Sequence, residues 1–99
     1  MKKSKVVATR TAGELAKALG LTPADGAEIQ LRSALNSKII EVVGAKGLTH
    51  AQVARLACTS RTRVTAIMNR NTMQISTDLL LRVLYALGYT TRITFQKAA

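Results

Sequence analysis

The residues of this chain whose side chains could react or bind a charged partner cluster in one stretch, ACTSRTRV at 57–64. It holds the only cysteine, Cys58, followed by two arginines, Arg61 and Arg63. Neighbouring positive charge stabilises a thiolate, so Cys58 could be a reactive, redox-sensing thiol. Alternatively, the arginines bind a polyanion and the cysteine only occupies a turn. The first interpretation predicts a redox sensor, and the second predicts a nucleic-acid-binding protein.

Other residues give little support to an enzyme, a metal site or a cofactor. The chain has one cysteine and one histidine, so a zinc site would need ligands from elsewhere. His50 has no paired carboxylate or nucleophile near it in sequence, and neither glycine-rich pattern that holds nucleotide phosphates occurs. We therefore expect no enzymatic activity, no metal and no cofactor, and we favour the second interpretation of Cys58.

The charge of the chain is strongly and unevenly basic. Fifteen lysines and arginines oppose five acids, which gives a formal net charge of +10. A basic surface can simply keep a small domain soluble. However, no acid occurs between residues 42 and 77, and a polyanionic partner explains that window better. The basic residues of this window and of the N-terminal tail (1–10) include Lys46, Arg55, Arg61, Arg63, Arg70, Lys2, Lys3 and Lys5.

Hydropathy argues against a membrane protein. No apolar run is long enough to span a bilayer, and no apolar segment follows the basic N-terminus as it does in a secretory signal. The single cysteine also fits a reducing compartment. We expect a cytoplasmic protein without a membrane partner.

Capping signals and apolar periodicity predict about five helices around one core. Residues 11–19, TAGELAKAL, form a short helix. A long helix follows, in which Thr22, Pro23 and Asp25 are the start signal and Gly26 could delay the start. Its apolar stripe and its terminating glycines are Leu31, Leu35, Ile39, Val42, Val43, Gly44 and Gly47.

Two short helices joined by a tight turn come next, over HAQVARLACTSRTRVTAIMN. Thr49 can begin the first at His50–Ala57, and Ser60 or Thr59 can begin the second, which runs to about Asn69. The predicted buried positions are Val53, Ala54, Ala57, Val64, Ile67 and Met68. Burial of these positions directs four polar side chains of the second helix away from the core, namely Arg61, Thr62, Thr65 and Asn69. This pattern is typical of a helix-turn-helix that presents its second helix to a DNA major groove.

The C-terminal part of the chain changes its period. STDLLLRVLYALG is a capped helix with Asp78 near its start and Gly88 as its stop. In the segment 89–96, apolar or β-branched residues alternate with polar ones, which predicts a β-strand. A lone strand needs an edge to pair with, either KVVAT near the N-terminus or the same strand of a second copy. The side of this strand that would carry dimerisation is Tyr89, Thr91, Ile93 and Phe95.

At this point the chain resembles a known family. LTHAQVARLACTSRTRVTAIMNR looks like the helix-turn-helix of the lambda-repressor-like Cro/XRE superfamily, with matches at Leu48, Thr49, Ala54, Ser60, Val64 and Ile67. The order of elements is similar to small XRE proteins that include HigA-type antitoxins. The resemblance implies a mainly α, lambda-repressor-like bundle of about five helices with a C-terminal β-strand. Residues 11–99 would form a single domain, with the helix-turn-helix at 49–70 and the strand at 89–96.

The resemblance also places three residues of the motif. Cys58 stands where the family usually has a glycine at positive φ, which makes it a turn residue. Thr59 stands where an apolar valine is usual. His50 stands where a glutamine often contacts a phosphate, so we expect a phosphate neighbour or a solvated histidine.

We therefore expect a sequence-specific regulator, a repressor or autorepressor, that binds a palindromic operator in double-stranded DNA as a homodimer. The base-reading candidates are Arg61, Thr62, Thr65 and Asn69. The phosphate-contacting candidates are Lys46, His50, Gln52, Arg63 and Arg70. A homodimer follows because one recognition helix buries too little surface for tight specificity. The sequence does not choose between the terminal strand and a helical face as its interface.

Two other functions remain open. The protein could be an antitoxin that also binds a small basic toxin of the RelE/HigB type. The net charge of +10 is awkward for such a complex, although four of the five acids lie in residues 14–41. It could also bind nucleic acid without sequence preference, but the stacking aromatics of RNA-binding modules are missing.

Overall fold

A computed structural model describes Gly20 and residues 22–97. Within them are four α-helices: α1 (Pro23–Lys46), α2 (His50–Ala57), α3 (Arg61–Met68) and α4 (Thr77–Ala86). The basic tail at 1–10 and the helix predicted at 11–19 lie outside the described residues. Contacts divide the chain into two units, residues 1–34 and 35–99, with the boundary inside α1. The helix-turn-helix and α4 belong entirely to the second unit.

Helix α1 begins at Pro23 because Thr22 and Asp25 bond reciprocally across its first turn. The backbone N–H and the Oγ1 hydroxyl of Thr22 donate to Oδ2 of Asp25 at 3.1 and 2.8 Å, and the Asp25 N–H donates back to Thr22 Oγ1 at 3.1 Å. These donors lower the pKa of the Asp25 carboxyl. A start delayed past Gly26 was wrong, since the Gly26 N–H already bonds to the Thr22 carbonyl at 3.0 Å.

The C-terminal end of α1 is fixed by Gly47 rather than by Gly44, which lies within the helix. Gly47 has φ +64°, a conformation that suits glycine, and the Leu48 N–H bonds back to the Val43 carbonyl at 3.2 Å. This closure turns the chain sharply, and α2 begins only three residues after Gly47.

The core of the second unit is made from one face of each helix. Leu31 was predicted to continue the α1 stripe but is 50% exposed. Apolar periodicity shows which face of a helix packs against the core. It does not show how much of the helix length is covered by other helices. The buried apolar residues are Leu35, Ile39, Val42, Val43, Val53, Ala54, Ala57, Val64, Ile67, Ile75, Leu79, Leu80, Val83, Leu84 and Leu87. All of the buried positions predicted for the two short helices are among them except Met68, which is partly buried.

The predicted strand at 89–96 is not formed in the structure. Helix α4 begins after Ser76, whose Oγ accepts the Leu79 N–H at 3.1 Å, and the chain reverses at Gly88 with φ +95°. Residues 89–97 then continue without regular secondary structure. Alternating residues define two sides of an extended segment, but a strand also needs a neighbour that pairs with its backbone. No described segment of this chain provides that neighbour.

Candidate nucleic-acid interface

Helix α2 is held at both ends by short-range hydrogen bonds that the sequence signalled. Thr49 Oγ1 accepts the Gln52 N–H at 3.1 Å, and the Thr49 N–H donates to Gln52 Oε1 at 2.8 Å, which completes a capping box. At the other end Cys58 has φ 55° and ψ 49°, the left-handed conformation predicted for it. The Thr59 N–H then bonds to the Ala54 carbonyl at 2.9 Å. Cys58 is a free, exposed thiol that acts structurally as the turn residue.

Helix α3 begins after Ser60, so of the two proposed caps Ser60 is the one used. Its Oγ accepts the Arg63 N–H at 3.2 Å. Val64 and Ile67 are fully buried and fix the rotation of α3 about its axis. As a result three consecutive polar residues, Arg61, Thr62 and Arg63, are exposed in its first turn.

Two candidates that were assigned separate roles contact each other. The Nδ1 atom of His50 lies 2.8 Å from Oγ1 of Thr65, and both residues are half-buried. Thr65 therefore does not simply point away from the core, and His50 is not a fully solvated histidine. Nothing in the sequence signals this pair, because the two positions are 15 residues apart on different helices.

The C-terminal end of α3 presents two more candidates. Asn69 follows the last helical residue and is exposed, so it stands at the end of the helix opposite to Arg61. Arg70 has φ 58°, and its guanidinium Nη2 donates to Oγ of Ser37 on α1 at 3.1 Å. Arg70 remains exposed, so the same side chain combines a contact to α1 with a positive charge at the surface.

Asn36 is a positioning residue that sequence reasoning missed. It is only 5% exposed, and its Nδ2 donates to the Ile67 carbonyl at 2.9 Å, which ties α1 to the last turn of α3. The signal was available, since Asn36 lies three residues before Ile39 and seven before Val43, on the apolar face. A polar side chain in such a row needs a buried partner, and the partner here is a helix-end carbonyl.

The other phosphate candidates lie at the ends of helices. Lys46 is exposed in the last turn of α1. Gln52 uses its Oε1 in the capping box, which leaves its amide nitrogen as the group for an outside acceptor. Together with the first turn of α3, these side chains supply exposed donors, and no acid occurs between residues 42 and 77.

The C-terminal segment is a separate apolar surface. Ile93 is 73% exposed and Phe95 is 94% exposed. Tyr85 is 71% exposed on α4. Tyr89 lies beneath the ammonium of Lys38, whose Nζ is 5.2 Å from the ring centroid. A shallow cavity of about 210 Å³ adjoins this region, lined by Leu81, Leu84, Tyr85, Tyr89, Thr90 and Thr91.

The chain is similar to a known protein family over most of its length. A family model described as a helix-turn-helix domain matches residues 14–96. Comparison with curated proteins and with solved structures finds no match. Among the described residues, no helix is long and apolar enough to cross a membrane. Within the same residues, no group of three or more His, Cys, Asp or Glu could hold a metal ion.

Proposed function

Because the chain belongs to the helix-turn-helix domain family of DNA-binding proteins, we propose that it is a sequence-specific transcriptional repressor that binds a palindromic operator as a homodimer. The lambda-repressor-like Cro/XRE type is the form we propose for its motif. A cytoplasmic location and the absence of enzymatic activity belong to the same proposal.

One observation carries this function, namely the exposed first turn of α3. Arg61 and Thr62 project from it while Val64 and Ile67 anchor the helix from behind. The N-terminal residues of a recognition helix are those that reach base edges in a major groove. Arginine can donate two hydrogen bonds to guanine O6 and N7, and a threonine methyl can contact the thymine methyl. We assign Arg61 and Thr62 as the main base readers, Thr65 as a third, and Asn69 as a reader at the far end.

We assign the phosphate contacts to exposed donors outside the base-reading positions. Arg63 is exposed beside the readers, and Lys46 lies on the last turn of the preceding long helix. Gln52 accepts the Thr49 N–H through its Oε1 atom, and the Arg70 guanidinium donates to Ser37, so both side chains have an intramolecular contact that orients them in the free protein. Phosphate contacts of this kind set the register of a protein on the duplex.

The homodimer is supported by the apolar C-terminal segment. Ile93 and Phe95 are both largely exposed, and no described residue pairs with the backbone beyond Tyr89. Antiparallel pairing of residues 89–96 across a two-fold axis would form the predicted strand and cover the side of Tyr89, Thr91, Ile93 and Phe95. A two-fold dimer also explains why a palindromic operator is expected.

An antitoxin role, with a small basic toxin as a second partner, is the weaker proposal. It requires an acidic surface, and α1 carries three of the five acids. Asp25 is engaged with Thr22, and the Glu41 carboxylate is 3.4 Å from Nζ of Lys38. Glu41 is thus paired with a cation, and the three carboxylates of α1 are few against a net charge of +10.

Selection of binding sites from a random duplex pool tests the function. At about 150 mM salt backbone attraction is partly suppressed, so enrichment reports base recognition. The repressor proposal predicts a palindrome whose half-site centres lie about one helical turn, roughly 34 Å, apart. Recovery of no preferred sequence would contradict it and would favour a non-specific nucleic-acid binder.

A further inference from the structure

The hydrogen bond between His50 and Thr65 joins the first residue of α2 to the recognition helix. We propose that His50 is a positioning residue which fixes the Thr65 side chain, so that Thr65 reads thymine through its methyl group and not through its hydroxyl. This inference rests on the proposed sequence-specific binding to DNA. The two nitrogens of the imidazole ring would then have separate roles, Nδ1 towards Thr65 and Nε2 towards DNA.

The side chain of Thr65 has two branches, a hydroxyl and a methyl group, and the contact with His50 occupies the hydroxyl. In a helix, threonine divides between two χ1 rotamers, because its hydroxyl can bond to a carbonyl of the preceding turn. At 2.8 Å from the imidazole Nδ1, the Oγ1 atom of Thr65 is held towards α2 instead. Because Oγ1 and the methyl group share one Cβ atom, fixing one fixes the other.

The second ring nitrogen explains why the hydroxyl cannot donate to thymine O4. A neutral imidazole carries one N–H, so one nitrogen donates and the other accepts. If Nε2 donates to a DNA phosphate, Nδ1 must accept, and the Thr65 hydroxyl must then donate its only proton to Nδ1. The phosphate contact and the base contact are therefore linked through His50, and the methyl remains as the group for an apolar contact with a thymine methyl.

Two amide substitutions separate these roles. Asparagine places a polar atom at about the distance of Nδ1 from the backbone, and glutamine places its nitrogen at about the distance of Nε2. We expect His50→Asn to keep the base preference but to bind all duplexes more weakly. His50→Gln should keep the affinity for random duplex but lose the preference for thymine at one operator position by about fourfold, the worth of one buried methyl group.

The test is competition binding of the full chain to the selected operator, to operators changed at single positions, and to random duplex. Thr65→Ser removes only the methyl, so it should lose the same thymine preference as His50→Gln. In a Thr65→Ala background, His50→Gln should cause no further change in base preference, which separates positioning from direct base reading by His50. Thermal unfolding of each variant confirms that it is folded before its binding is compared.

A measurement on the wild-type protein keeps the inference independent of how well any variant binds. In the operator complex, at a pH where the ring is neutral, ¹⁵N NMR of His50 should show a proton on Nε2 and an unprotonated, accepting Nδ1. A protonated Nδ1 would free the Thr65 hydroxyl to donate to a base and would overturn the assignment of the methyl group, and a thymine preference that His50→Gln leaves intact would overturn the positioning role; both would leave the repressor proposal standing. If the wild-type protein selects no sequence at all, the proposed function and this inference fail together.

Discussion

At the scale of single residues, the turn between α2 and α3 contains an unpaired buried polar group. The Thr59 hydroxyl is buried, and no described residue offers its Oγ1 a hydrogen bond. A buried hydroxyl without a partner costs about 1–3 kcal/mol, so Thr59→Val should raise the free energy of unfolding by about 1 kcal/mol in urea titrations. The exposed Thr90→Val is the matched control and should change it by less than about 0.5 kcal/mol. A loss of stability in Thr59→Val would show that the hydroxyl has a partner in solution.

Residues also show where prediction from sequence succeeds and where it stops. The caps Thr49, Ser60 and Ser76 were predictable, because a cap and the N–H it accepts lie within three residues of each other. The left-handed turn at Cys58 was predictable from its position in the motif. The contact of His50 with Thr65 was not, since it depends on how closely two helices cross rather than on any local spacing.

At the scale of elements, the orientation of α3 depends on α1 as well as on its own buried face. Asn36→Ala removes the buried donor to the Ile67 carbonyl and should lower the free energy of unfolding by about 1–3 kcal/mol. The neighbouring Ser37→Ala removes only an exposed bond to Arg70 and should cost less than about 0.5 kcal/mol. Equal losses in the two variants, measured by urea denaturation, would contradict a specific anchoring role for Asn36.

The elements themselves were largely predictable. Apolar periodicity and capping residues predicted α2 at His50–Ala57. Helices α3 and α4 each begin one residue after a capping serine, Ser60 and Ser76. The strand at 89–96 was not formed, because its pattern describes only one partner of a pair. Leu31 is exposed for a similar reason, since the apolar pattern of one helix does not show where its neighbouring helices lie.

At the scale of the whole molecule, the C-terminal segment exposes two large apolar side chains, Ile93 and Phe95, to solvent. If its strands pair across a two-fold axis, Ile93→Lys places a charge in the interface of both copies. Each buried isoleucine is worth about 1.5–3 kcal/mol, so the dimer dissociation constant should rise at least about 100-fold in sedimentation equilibrium. Thr94→Lys, on the other side of the strand, is the control and should stay dimeric. Two variants that both remain dimeric would place the interface on a helical face.

We expect the first turn of α3 to read bases, and Arg61→Ala removes the side chain that would make the main base contact. Affinities for the selected operator and for random duplex are measured side by side, with Arg92→Ala, on the C-terminal segment, as the control. Loss of a base-reading arginine should weaken operator binding by about 1–3 kcal/mol and relax the preference at one base position, while binding to random duplex changes far less. Equal losses on both duplexes would show that Arg61 contacts only the DNA backbone and that the first turn of α3 does not read a base through it.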